Sequence, residues 1–245
     1  MAQVSEDIPA ERLSLGVGTP TATVAADGTA IAIRRQGKGI PVICLHATGH
    51  GGRDYAEFAR SISEEGFEPI IVDWPGHGAS PPEATEQGVS AERYADILAE
   101  LIPILCGEDK PILLGNSIGG AAALSYALRE PRKVKALVLC NPGGLAPLTA
   151  LSRFVIAAMV RFFRAGAGGS RWFAIGFAAY YRLVLPARPA REQRDRIVEA
   201  GPVMAPIMAQ AWDSFRQPEA DLRQSAKDLR LPTLFAWARQ DQIVA

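Results

Sequence analysis

Apolar residues along the chain come in short continuous runs that alternate with stretches spaced for helices. Residues 20–35 read as a hairpin, with a Thr/Val/Ala strand, the turn signal Asp27-Gly28, and a second strand Ala30-Ile31-Ala32-Ile33-Arg34. Pro41 to His46 is an unbroken apolar run of the kind a buried parallel strand shows. Tyr55 to Glu65 follows with helical spacing at Tyr55, Phe58, Ala59 and Ile62, and Pro69 to Trp74 is the next strand. Ser90 opens a helix with the apolar stripe Tyr94, Ile97, Leu98 and Leu101. Pro111 to Gly115 is a strand, a helix of small residues runs to Glu130, and Val134 to Cys140 is a further strand ended by Asn141-Pro142-Gly143-Gly144. Such alternation predicts an α/β fold with a mostly parallel sheet covered on both faces.

The rhythm stops between residues 145 and 228. That segment reads as several helices, separated by Gly166-Ala167-Gly168-Gly169 and by Pro186, Pro189, Pro202 and Pro206. Alternation resumes with a final buried strand, Leu231 to Trp237, followed by Ala238-Arg239-Gln240-Asp241. The chain therefore divides into a first core part (1–144), a helical insertion (145–228) and a closing core part with an acidic loop (229–245).

Composition narrows the function classes. The 26 basic and 26 acidic residues cancel, so no global field favours nucleic acid. Cys44, Cys106 and Cys140 lie far apart with no metal-ligand spacing, and read as free thiols of a reducing compartment. The start, Met1 to Asp7, is acidic and unlike a signal peptide, and no apolar run reaches the roughly 18 residues of a membrane span. The expectation is a cytoplasmic protein with no metal and no cofactor. Its oligomeric state stays open.

The chemistry concentrates at Gly115-Asn116-Ser117-Ile118-Gly119. This G-x-S-x-G string sits between a strand and a helix, where a serine hydroxyl is lifted clear of the sheet and flanking side chains would collide with neighbours. Ser117 is the candidate nucleophile, because a helix beginning at Ile118 offers partial positive charge to a developing oxyanion. The glycine-rich loop His46-Ala47-Thr48-Gly49-His50 allows close backbone approach, so the N–H groups of Thr48 and Ile118 are candidate oxyanion donors. His50 lies in that loop and could contact substrate. Asp241, a few residues past the last strand, is the candidate acid that would orient a histidine.

His46-Ala47-Thr48-Gly49, Asp73-Trp74-Pro75-Gly76-His77-Gly78, Gly115-Asn116-Ser117-Ile118-Gly119 and Asp241, in that order, resemble the α/β-hydrolase family over roughly residues 25–245. The resemblance implies a helical cap between the sixth and seventh strands, where the strandless segment falls. It also implies the serine-nucleophile branch, since other branches carry aspartate at the elbow, and a bracing role for His46 with a structural turn at His77. The implied function is hydrolysis of an ester, thioester or activated carbon–carbon bond in a small acyl molecule through a Ser117 acyl-enzyme. The family's catalytic histidine follows the acid, whereas His46, His50 and His77 all precede Ser117. The expectation is thus an enzyme shortened at its C-terminus, lacking the last strand and helix and of low activity. The alternative is a non-catalytic hydrolase-like binder of a small acyl molecule or a protein partner.

One further feature stands outside these motifs. Residues 151–191 hold seven arginines and no carboxylate. At helical spacing Arg153, Arg161 and Arg164 share one face, within about 80°, opposite Val155, Ala158, Met159 and Phe162. The face is a solvated surface of the insertion or a contact for an anionic membrane.

Overall fold

The computed structural model describes residues 22–83 and 88–239. Seven strands form one sheet: β1 (Ala22–Ala26), β2 (Thr29–Arg35), β3 (Ile40–Leu45), β4 (Phe67–Val72), β5 (Ile112–Asn116), β6 (Ala136–Cys140) and β7 (Thr233–Ala236). Their spatial order is β1-β2-β4-β3-β5-β6-β7. The hairpin strands run antiparallel, and β4, β3, β5, β6 and β7 are mutually parallel. Asp27 and Gly28 turn the hairpin with φ of +45° and +74°, the left-handed pair that a two-residue turn between twisted strands needs.

Helices α1 (Ala56–Ser63), α2 (Ala91–Cys106) and α3 (Ile118–Arg129) cover the sheet. The period-two alternation of the strands divides the core accordingly. Ile43, Leu45, Ile70, Val72 and Leu113 pack with α2 and α3, while Val42, Cys44, Ile71 and Leu114 pack with Ala59 of α1. The Ser90 hydroxyl caps α2 by accepting from the Arg93 N–H at 3.0 Å. The stripe Tyr94, Ile97, Leu98 and Leu101 is buried as its spacing predicts.

Between β6 and β7 come α4 (Ala150–Ala167), α5 (Phe173–Val184) and α6 (Arg191–Ser214). They enclose an apolar cluster of their own, built on Phe163, Phe173, Phe177, Tyr181, Met204 and Met208. Three sequence expectations fail in this part of the chain. Pro202 and Pro206 do not separate helices; both lie inside α6. A proline in a helix interior costs about 3 kcal/mol, and here packing outweighs it: Phe177 occupies the space a Cβ at Gly201 would need, and Met204, Ala205 and Met208 are buried. The inward arc of α4 is also rotated from the expected one. Ile156, Val160, Phe163 and Gly166 face in, whereas Val155 is exposed and Phe154 is 72% exposed. Finally, β7 is not buried. It is the outermost strand, paired on one side with β6, and Leu234 and Phe235 are exposed. Among the described residues no helix is long and apolar enough to cross a membrane.

Under the loops at the C-terminal ends of the strands lies a buried ion pair. Arg34 Nη1 on β2 meets Asp73 Oδ2 at 2.8 Å, with the two side chains 7% and 1% exposed. Asp73 also accepts from the Gly52 N–H at 2.7 Å and the Ala79 N–H at 3.0 Å. Burial pushes the Asp73 carboxyl up, but the Ala79 N–H and Arg34 outweigh it and hold it below the usual carboxylate range. Replacing Asp73 with alanine strands a buried guanidinium and two amides, so Asp73→Ala is expected to cost about 3–5 kcal/mol in urea unfolding. Adding Arg34→Met should recover part of that loss. Equal midpoints for Asp73→Ala and the parent protein would mean the pair carries no such weight.

Candidate active site

Ser117 stands where β5 ends and α3 begins, at φ +54° and ψ −118°. Such a conformation costs a non-glycine residue about 1–3 kcal/mol and is held here by hydrogen bonds: the Ser117 N–H donates to Cys140 O at 3.1 Å, and Ser117 O accepts from Gly143 N at 3.0 Å. The flanking glycines are required by close approach. A Cβ on Gly115 would fall on the Gly119 backbone, and one on Gly119 would fall on the carbonyl oxygens of Leu45 and His46. That second contact seats the start of α3 directly against the end of β3. It brings Ile118 beside the loop that carries Thr48.

Neither the Thr48 nor the Ile118 backbone N–H has a hydrogen-bond partner among the described residues. Ile118 is the first residue of α3, so its N–H is one of the donors a helix leaves open. The Thr48 hydroxyl is buried and also without a partner among them. Open N–H donors at a helix N-terminus favour negative charge. Asp241 lies outside the described residues.

His46 and His77 are held rigidly. The Trp74 N–H donates to His46 Nε2 at 3.0 Å, which leaves Nδ1 as the protonated nitrogen, 2.8 Å from Ala47 O. His77 repeats the pattern: Nε2 accepts from the Gly49 N–H at 3.1 Å and Nδ1 lies 3.0 Å from Pro75 O. Both rings thus brace the loop that presents Thr48, and neither keeps a nitrogen for a substrate. Burial keeps them neutral, lowering His46 and taking His77 down to about 3, where the His46 ring beside it adds to the effect.

His50 has a different setting. Its Nδ1 lies 2.7 Å from Asp54 Oδ2, and its ring packs near Tyr181 of α5 at a centroid distance of 6.0 Å. Asp54 also faces Arg196 of α6 at 3.5 Å. Burial raises the Asp54 carboxyl, yet the hydrogen bonds from His50 and Gln193 and the charges of His50 and Arg196 bring it below its ordinary value. Nearby, Met208 and Ile207 of α6 lie against Gly49 and Gly76. The helical insertion is therefore anchored on the segment that follows β3 by Asp54, a residue that sequence reasoning missed. Its only sequence signal is the i, i+4 spacing from His50; Tyr181, Gln193 and Arg196 lie more than a hundred residues away along the chain.

A model of the alpha/beta hydrolase fold family matches residues 40–245. The chain belongs to the α/β-hydrolase family. Among curated members it is 32% identical over 120 residues to a 2-hydroxy-6-oxononadienedioate/2-hydroxy-6-oxononatrienedioate hydrolase of Comamonas testosteroni, covering 47% of this chain and 41% of that protein. It is 33% identical over 121 residues to a 2-hydroxy-6-oxo-6-phenylhexa-2,4-dienoate hydrolase of Burkholderia cepacia, again covering 47% and 41%. The matched stretch thus spans about two fifths of those relatives. Among solved α/β-hydrolase structures, an esterase from Exiguobacterium antarcticum superposes with a TM-score of 0.74 at 24% identity, over 93% of this chain and 83% of the esterase. A thermophilic esterase from Thermogutta terrifontis gives 0.73 at 21%, over 91% and 81%. No cluster of three or more metal-ligating side chains occurs among the described residues.

Proposed function

We propose that this α/β-hydrolase is a serine hydrolase acting on a small acyl molecule through an acyl-enzyme on Ser117. The observation that carries the reading is the strained elbow that holds Ser117 at the N-terminus of α3, beside two unengaged backbone N–H groups. Ser117 Oγ attacks the carbonyl carbon, and the resulting oxyanion accepts from the Thr48 and Ile118 N–H groups. Collapse of the tetrahedral intermediate expels an alkoxide, thiolate or stabilised carbanion. Water then cleaves the acyl-enzyme and regenerates the hydroxyl.

The proton of Ser117 needs an acceptor. His46 and His77 have both ring nitrogens engaged, and His50 rests on Asp54. His50 keeps its Nε2, and what sets it aside is the family's chain order of serine, acid and then histidine; on that order Asp241 is the carboxylate that would hold the triad imidazole. The names of the curated relatives describe oxo-dienoate substrates, each with a ketone and at least one carboxylate. A substrate of that class would be cut at an activated carbon–carbon bond, and esters and thioesters share the same carbonyl chemistry. His50, between the oxyanion-side loop and α5, would meet its polar end, and residues 145–228 would act as a cap over a core made of 1–144 and 229–245. The mechanism asks for no metal or cofactor.

A second reading, a non-catalytic binder of an acyl molecule, draws on the engagement of His46 and His77. Labelling with a serine-directed fluorophosphonate separates the two. The proposed nucleophile predicts slow addition of one phosphonyl group by intact mass, mapped to Ser117 and absent from Ser117→Ala. A protein that is never labelled yet retains a bound acyl molecule would be the binder.

A further inference from the structure

The stretch from 151 to 191 carries a surface that neither the sheet nor the Ser117 site uses. On α5 and the Trp172 that precedes it, the exposed positions Trp172, Ile175, Ala179 and Leu183 recur at helical spacing, with Ile175 at 77% and Leu183 at 81% exposure. Arg171 and Arg182 flank that stripe, both exposed. On α4 the exposed face joins Leu151 and Phe154 to Arg153 and Arg161. A cleft of about 750 Å³ lies along α4, lined by Ala158, Arg161 and Ala165 and by Trp172, which immediately precedes α5. Arg164 and Arg216 also line it and share a single carboxylate, Asp213, at 2.9 Å each. Arg153, Arg161, Arg171, Arg182 and Arg188 have no carboxylate partner among the described residues.

Large apolar side chains on a protein surface mark a contact when they are grouped, and here arginines border every group. A second copy of the chain would bring the same unopposed arginines against these, so like-charge repulsion excludes a symmetric contact. Nucleic acid would match the arginines but leave Leu151, Phe154, Ile175 and Leu183 without partners. An anionic bilayer satisfies both features, because its phosphates meet the guanidinium groups while apolar tips enter the acyl boundary. We propose that the outer face of α4 and α5 docks reversibly on anionic membrane surfaces, with Trp172 at the interface. This surface is independent of the chemistry at Ser117.

The test is co-sedimentation of the full 245-residue chain with vesicles of phosphatidylcholine alone and of phosphatidylcholine containing phosphatidylglycerol. Binding is expected to the anionic vesicles, at least 10-fold weaker to the neutral ones, and about 10-fold weaker again when salt rises from 0.05 to 0.5 M. Replacing Arg153, Arg161, Arg171 and Arg182 with glutamine should weaken binding by roughly a hundred-fold or more, at about 5-fold per arginine. Phe154→Ser with Ile175→Ser and Leu183→Ser should do the same by removing the inserted groups. All these side chains are exposed, so circular dichroism and melting should match the parent. If a variant fails to fold, brominated lipids give a second readout: they should quench tryptophan emission in the parent and not in Trp172→Phe. Ser117→Ala should bind vesicles as the parent does. Equal binding to neutral and anionic vesicles would overturn the proposal. So would binding that ignores both sets of substitutions, or no vesicle binding beside self-association through this face.

Discussion

Ester turnover by the 245-residue chain is expected to stay within roughly 10³–10⁴-fold of the uncatalysed rate, the level left when a triad lacks a member. On the proposed reading the oxyanion donors and binding act alone, because none of His46, His50 and His77 is assigned to take the Ser117 proton. His46 and His77 spend one nitrogen on accepting from a backbone N–H and the other on a carbonyl oxygen. His50→Gln should therefore leave kcat for the small aryl ester unchanged while raising KM for the oxo-dienoate, whereas Ser117→Ala should remove what remains of acyl-enzyme formation. Assays with an activated aryl ester and with an oxo-dienoate, run on the parent and both variants, decide the matter. Brisk turnover that falls with His50→Gln would make the His50–Asp54 pair the base and overturn the assignment of His50 as a substrate contact.

The second large effect is on stability. Lowering the pH from 7 to 5 is expected to cost about 2 kcal/mol through His77, and His46, also lowered by burial, adds to the loss in the same direction. In the folded protein both rings stay neutral, since burial drives them down and their hydrogen bonds need an unprotonated Nε2. The unfolded chain takes up protons near the ordinary histidine value of about 6.5. It then binds more protons than the native state, so stability falls as the pH drops below that value, and for His77 the loss continues to about 3. Asp54 and Asp73 act in the same direction at lower pH, because their carboxyls are held below the usual range in the fold and their contribution is lost as they protonate. Urea midpoints at pH 7, 6 and 5 with a constant m-value give the slope directly. His77→Gln should be less stable at pH 7 but lose less on acidification than the parent. A flat profile between pH 7 and 5 would contradict neutral buried rings.

How much of this was legible along the chain depends on distance in sequence. The elbow was readable because its strand, turn and helix are contiguous and Gly115 answers to neighbours within five residues, Gly119 and Gly120, although Gly119 answers to the distant Leu45 and His46. The parallel core was readable because unbroken apolar runs such as Pro41 to His46 suit strands buried on both faces. The anchor on Asp54 was not, since it is completed by Tyr181, Gln193 and Arg196, brought close only by the fold. Pro202 and Pro206 misled because local breaking power was overcome by burial of Met204, Ala205 and Met208 around them. The wheel of α4 identified its arginine side correctly but not which apolar arc faces inward. That choice is made by Phe173 and Phe177 of α5, against which Phe163 packs edge-on.

The two separate sets of buried side chains, one between sheet and flanking helices and one within α4–α6, bear on how such a protein can change. Substitutions at Phe163, Phe177 or Met204 reshape the roof without loosening the floor on which Ser117 is mounted. On the proposed reading, a lineage would exchange what it admits while inheriting its reaction platform. The seam between the two joins the polar set of Asp54, His50 and Arg196 to apolar contacts of Met208 and Ile207 on Gly49 and Gly76. New specificities in this lineage should first be sought there, in the few side chains that meet across it.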